Sequence, residues 1–255
     1  MIKRRDRSSA LLAPERPSEA GTPLMEVRNL GVCFHQAHGT VHAVQDVSWE
    51  IRSGDTLGIV GESGSGKSIT AFALMDLVPM TGEVTSGEFF WRGKRIERSE
   101  LARLRGSKIS MVFQDPVNAL NPLVPVGRQI TEVLRIHKGM SASAARARAV
   151  ELFDLVGIPE PARRLKQYPF EFSGGMAQRA VIAMALAPEP DLLLADEPTT
   201  ALDVTIQAQI LDLIAQLQAE LEIAIVLITH DLGVVAGVAD RIAVMYAGRV
   251  VETGP

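Results

Sequence analysis

Eight consecutive residues, Gly61-Glu62-Ser63-Gly64-Ser65-Gly66-Lys67-Ser68, follow the spacing G-x-x-x-x-G-K-S. Glycines in such a loop let the backbone wrap closely round a polyphosphate and turn its N–H groups inward. Lys67 is placed to reach the β- and γ-phosphates, and Ser68 to offer a hydroxyl to Mg²⁺. A chance glycine-rich turn is the competing reading, but an apolar strand before the loop and a helix after it are the context that confirms the motif. A second element, Leu192-Leu193-Leu194-Ala195-Asp196-Glu197, is an apolar strand ending in two acids. Asp196 would hold Mg²⁺ through water at the carboxyl end of a buried strand, where ligands bind in open α/β sheets. Glu197 would orient and polarise an attacking water. Alone, the two acids could cap the turn that follows. Paired with the loop, they point to binding and hydrolysis of a nucleoside triphosphate.

These residues need elements to hold them. Residues 47–52 alternate apolar and polar types, the mark of a half-buried strand. Residues 56–60 are short and apolar and run straight into the glycine loop, and a helix is expected over about 67–78. A β-ribbon over about 87–96 turns at Arg92-Gly93-Lys94, and 109–113 reads as another strand. From about 117 to 186 no convincing strand appears. That stretch reads as helices near 126–137, 141–156 with Ser141 as cap, and 174–187, broken by Gly139, Gly157, Pro159 and Pro161. Alternation then resumes: strand 191–195, helix 204–220, strand 223–228, helix 232–238, strands 241–246 and 249–252. The expected fold is α/β, with a mainly parallel sheet, an antiparallel β subdomain and an inserted helical subdomain.

Composition sets the outer limits. The chain has 255 residues, 47% hydrophobic and 22% charged, enough for a sizeable core. A net charge of −4 and a pI near 5.8 argue against a broad nucleic-acid-binding surface. One cysteine, Cys33, permits no internal disulfide and no cysteine cluster for metal. His35, His38, His42 and His137 show no metal-ligand pattern and read as surface residues. No stretch approaches the ~20 apolar residues needed to span a bilayer. Residues 1–24 combine Lys3, Arg4, Arg5 and Arg7 with Pro14, Pro17 and Pro23, and read as a disordered tail rather than an export signal, since only residues 10–13 are apolar. The ordered domain is expected to span 25–255.

A third element, Phe172-Ser173-Gly174-Gly175-Met176, precedes the acidic strand. By itself Ser-Gly-Gly is an ordinary helix cap. In this company it resembles the signature of the nucleotide-binding subunits of ATP-binding-cassette (ABC) transporters, with Met176 where that family usually has Gln. Gln114 resembles the Q-loop glutamine, Ala201-Leu202-Asp203 the D-loop, and His230 in Ile228-Thr229-His230-Asp231 the switch histidine. Phe34 sits where the family places an aromatic ring against adenine, although it could equally be core. The resemblance covers about residues 25–255, in the family's order.

The resemblance implies an ATPase that binds ATP and Mg²⁺. Nucleotide contacts would come from Phe34, Gly61, Glu62, Ser63, Gly64, Ser65, Gly66, Lys67, Ser68, Ile69, Gln114 and Asp196, with the metal held by Ser68, Gln114 and Asp196. Glu197, His230 and Gln114 would be catalytic. Ser173, Gly174, Gly175 and Asp203 would face the ATP of a second cassette, which makes each site composite. Phe113-Gln114-Asp115-Pro116, Leu120-Asn121-Pro122, Tyr168-Pro169 and the run from Asp196 through Leu211 resemble the dipeptide, oligopeptide and nickel importer group. Ala177 and Phe170 depart from the usual Arg or Gln and His, which bears on substrate subgroup rather than on ATP hydrolysis. The partners implied are a second ATPase subunit, two transmembrane permease subunits and an extracytoplasmic binding protein, with the chain peripheral on the cytoplasmic side of the membrane. Members of the group continue into a C-terminal extension, often with a cysteine cluster. This sequence stops at Gly254-Pro255, leaving open a fragment or one half of a fused pair. A soluble cassette ATPase acting on DNA or ribosomes is the rival, and it would carry zinc modules, coiled coils or a second cassette.

Overall fold

The computed structural model describes residues 21–37, 39–200 and 202–255. Most of the tail assigned to residues 1–24 lies outside them, as do His38 and Ala201. Leu24 does not behave as tail: it is buried, donates its N–H to Ile51 O and accepts from Arg92 N–H, both at 2.8 Å.

Strands β1 (Met25–Gln36) and β2 (Gly39–Ile51) form a long antiparallel pair. Strand β3 (Thr56–Val60), buried at every residue, leads through the glycine loop into α1 (Lys67–Leu74). That helix ends short of the expected residue 78 because Asp76 adopts φ +51, which stops helical propagation. Strand β4 (Gly82–Trp91) returns to pair with β1, and β5 (Lys94–Ile96) closes the hairpin across Arg92-Gly93, both with positive φ. A short helix, α2 (Arg98–Leu104), follows with a reciprocal Glu97–Glu100 capping box.

After β3, the chain returns to the same sheet with β6 (Ile109–Val112). Six helical pieces follow before the next strand, counting one 3₁₀ turn at Pro169–Glu171. They are α3 (Pro116–Ala119), α4 (Val126–Lys138), α5 (Ala142–Leu155), α6 (Pro161–Arg164), that turn, and α7 (Gly174–Leu186). Ser141 caps α5 by accepting from Ala144 N–H, as its position predicts. Then come β7 (Leu192–Asp196), α8 (Val204–Leu221), β8 (Ala224–Thr229), α9 (Leu232–Val235), β9 (Arg241–Tyr246) and β10 (Arg249–Gly254).

Two sheets result, ordered β2-β1-β4-β5 and β10-β9-β3-β8-β7-β6. In the second, every pairing is parallel except β9 with β10. Parallel strands are covered on both faces, so they read as continuous apolar runs and separate two cores by alternation. Leu193, Ala195, Ile225 and Leu227 face the core shared with α4, α5, α7 and α8. Leu192, Leu194, Ala224, Val226 and Ile228 face the core shared with α1 and the antiparallel sheet. The central strand β3, between β8 and β9, thus delivers its loop to the carboxyl edge of the sheet, beside the end of β7.

Candidate functional site

The loop after β3 is tight enough to require its glycines. Gly61 has φ +158, and a Cβ there would lie 2.1 Å from the carbonyl oxygen of Met245. Gly66 has φ +101, and a Cβ there would lie 2.4 Å from Ala43 O. Both positions therefore exclude side chains by space, and Gly66 by conformation as well. Lys67 donates from Nζ to Gly61 O and Glu62 O, each at 2.8 Å, which holds the loop curved over the ammonium. Burial pushes the Lys67 pKa down, against the pull of Glu197 and Asp196. Ser65 Oγ is buried inside the same curve without a hydrogen-bond partner among the described residues. An orphaned hydroxyl beside a buried cation and inward-turned backbone suits a phosphate oxygen.

Below the loop, Ser68 Oγ donates to Asp196 Oδ1 at 2.8 Å. Asp196 is buried at the end of β7, and burial raises its pKa, opposed by the Ser68 hydrogen bond. A hydroxyl and a buried carboxylate are hard oxygen donors, the chemistry that suits Mg²⁺.

Glu197 is the centre of a hydrogen-bonded cluster. Its backbone takes φ +45 and its N–H donates to Ile228 O at 2.9 Å, which turns the side chain away from the strand it follows. Oε2 accepts from Thr200 Oγ1 at 2.8 Å and from Gln114 Nε2 at 3.1 Å. Oε1 lies 3.3 Å from His230 Nδ1. Three segments, the ends of β6, β7 and β8, thus converge on one carboxylate. It can accept a proton from, or orient, a water above it.

A groove of about 560 Å³ connects these groups, lined by Ala43, Glu62, Ser63, Gly64, Gly66, Lys67, Ser68, Ile69, Gln114, Glu197 and His230. Gly61, Ser65 and Asp196 are not among the lining residues, and the last two are buried. Phe34 is not among the lining residues; its ring lies against Gly82, where an added Cβ would come within 2.7 Å of Phe34 Cε1, and joins the core under the antiparallel sheet. Ser173, Gly174, Gly175 and Asp203 also lie outside the groove. Ser173 caps α7 by accepting from Met176 N–H, and Asp203 caps α8 by accepting from Ile206 N–H. Gly175 lets α8 approach, since a Cβ there would be 2.8 Å from Ile206 Cγ2. The signature and Asp203 therefore share one exposed patch across α7 and α8.

Sequence reasoning missed two contributors. Thr200 carried a signal, its place three residues after Glu197, which suits a side-chain contact back to the carboxylate. Ala43 carried none, because only the fold brings β2 to the loop. His42 and His137 are exposed, and so is His35. The sequence spacing shows no ligand pattern at His35, and the fold sets it beside Cys33 and Glu83 through cross-strand register that spacing alone does not reveal.

The ABC transporter family model matches residues 44–200. The chain is 56% identical over 237 residues to the oligopeptide transport ATP-binding protein OppD of Bacillus subtilis, covering 91% of this chain and 66% of that protein. It is 54% identical over 235 residues to the dipeptide transport ATP-binding protein DppD of the same organism, covering 91% and 70%. The chain thus spans about two thirds of the length of these curated relatives. Among solved structures, it matches the ATP-binding cassette MJ0796, a dimer in a post-hydrolysis state bound to ADP and Pi. The TM-score is 0.79 at 31% identity, covering 90% of this chain and 97% of that one. The α/β architecture expected from strand and helix alternation is the fold of that cassette.

Proposed function

We propose, given that this chain belongs to the ABC transporter family, that it is the ATP-binding and ATP-hydrolysing subunit of an importer that powers uptake of oligopeptides or dipeptides. The observation that carries the ATPase reading is the single carboxylate of Glu197, held by Thr200, Gln114 and His230 at the mouth of a phosphate-shaped loop. The substrate class is supported by the names of relatives more than half identical to the chain.

In this reading the backbone of residues 61–68 and the ammonium of Lys67 hold the β- and γ-phosphates of ATP. Ser68 Oγ, Gln114 and, through water, Asp196 would hold Mg²⁺, which would supply charge neutralisation on the phosphate oxygens. Glu197 orients the attacking water and accepts its proton, while Gln114 and His230 fix the carboxylate and contact the γ-phosphate side. The Phe34 ring, which packs beside Gly82 outside the groove lining, would have to turn towards the groove to stack with adenine. Ser173, Gly174, Gly175 and Asp203 complete the pocket of a second cassette, and that cassette returns the same residues to this one. Two transmembrane permease subunits and an extracytoplasmic binding protein complete the assembly. No helix among the described residues is long and apolar enough to cross a membrane, and the chain docks on the cytoplasmic face through these partners. The domain comprises residues 25–255, with the helical subdomain at about 117–186 meeting the permeases.

The test is purification from membranes. The chain should co-purify with two polytopic membrane proteins, and the reconstituted complex should hydrolyse ATP faster when the binding protein is loaded with peptide. Recovery with ribosomes or DNA and no membrane subunit would overturn the transport reading.

A further inference from the structure

We propose that Cys33, His35 and Glu83 form a binding site for a single zinc ion on the antiparallel sheet, apart from the nucleotide groove. Residues two apart on a strand share a face, so β1 presents Cys33 and His35 together. Strand β4 places Glu83 directly opposite Cys33 in the antiparallel register. Cys33 Sγ lies 3.8 Å from His35 Nε2, that nitrogen lies 3.5 Å from Glu83 Oε2, and all three ligand atoms fall within 4.8 Å of one another. Tetrahedral zinc with bonds of about 2.0–2.3 Å sets its ligand atoms about 3.3–3.8 Å apart, so a small closure suffices.

The imidazole orientation supports this reading. His35 Nδ1 lies 3.3 Å from Thr40 Oγ1. In the tautomer that donates Nδ1–H to this hydroxyl, Nε2 turns a lone pair towards a sulfur and a carboxylate. In that tautomer three electron-pair donors converge on a space that a cation fits, and a hydroxyl on the far ring nitrogen is the outer contact that orients a ligating histidine. Thiolate, imidazole and carboxylate together select zinc over Mg²⁺ or Ca²⁺. Binding takes the thiol proton of Cys33 into solvent, leaving thiolate on the metal. Cys33 is buried, whereas the His35 and Glu83 side chains are 61% and 64% exposed. The fourth position therefore opens to water, and the ion can exchange. Bound zinc would tie β1 to β4 on either side of Phe34.

Because Cys33 is the only cysteine, a thiolate-to-metal signal can have no other source in the chain. The reduced full chain is titrated with Co²⁺ in excess Mg²⁺, which occupies the oxygen site, and absorption is followed before competition with Zn²⁺. One equivalent should produce a near-ultraviolet sulfur-to-cobalt band that Zn²⁺ abolishes and Cys33→Ser lacks. His35→Ala and Glu83→Gln, both at exposed positions, should each weaken Co²⁺ binding by at least about tenfold. No band in the unmodified chain, or an unshifted titration in either exposed-position variant, would overturn the three-ligand site.

Discussion

Two regions of this molecule, both proposed to meet phosphate, are built on opposite plans. The loop after β3 and the acids after β7 meet within one chain: Lys67, Ser68, Asp196 and Glu197 bond to neighbours there, and most of the loop lines a groove with Glu197. At the patch of Ser173, Gly174, Gly175 and Asp203, all but Gly175 are exposed, and the Ser173 and Asp203 side chains cap helices α7 and α8. In the proposed reading, such a helix start with small residues would supply half of a site that a second cassette completes. The contrast means that damage to the first region should be felt by the chain alone, and damage to the second only once a partner closes over it.

The sharpest way to break this contrast is at Glu197. Glu197→Gln keeps the shape and the Thr200 contact but removes the base, so ATP binding should persist while turnover of the assembled complex falls by on the order of 10²–10⁴. Rapid-mix hydrolysis beside nucleotide-binding titrations checks both halves, and normal turnover would remove the role. Next comes Ser173→Arg, which crowds the exposed patch. Turnover of the assembled complex should drop by on the order of 10², the scale for losing preorganised donors to a transferring phosphoryl group. ATP affinity of the isolated chain should stay unchanged in the same titration. If the isolated chain loses affinity equally, the two regions are not separate.

The smallest effect concerns stability. Burial raises the Asp196 carboxyl above its unfolded value, so the fold is penalised for holding it ionised. That penalty is absent below the unfolded pKa of about 3.9, grows as pH rises, and is complete above the folded pKa. Without Mg²⁺, Asp196→Asn should therefore raise the Tm by a few degrees at neutral pH, with no gain at pH 3. Calorimetry at the two pH values measures it. A lowered Tm at neutral pH would mean that the Ser68 hydrogen bond outweighs desolvation.

What the sequence made legible was whatever rests on local chemistry. The glycine loop, the short apolar runs of β3 and β7, the Ser141 and Ser173 caps and the helix over α8 are dictated by neighbours in the chain. What stayed hidden depends on register and local backbone conformation. Strand β1 lacked a clean alternation because its pairing shifts near Asn29 (φ +52) and Gly31. The end of α1 turned on a single left-handed Asp76. The lining role of Ala43 and the Cys33–His35–Glu83 cluster arise from strands that meet only in the fold. The roles of Gln114 and His230 came from resemblance, and their convergence on Glu197 is a geometric fact no spacing rule would have supplied.

The most direct measurement uses an ATP analogue with a photoreactive γ-phosphate, bound to the assembled importer. This chain carries Lys67→Ala to cripple its own groove, and the labelled peptides are mapped. Label should still appear within residues 172–176 of this chain, delivered by nucleotide held in the facing cassette. If labelling there vanishes along with the chain's own phosphate binding, each cassette works alone and the shared-pocket account is contradicted.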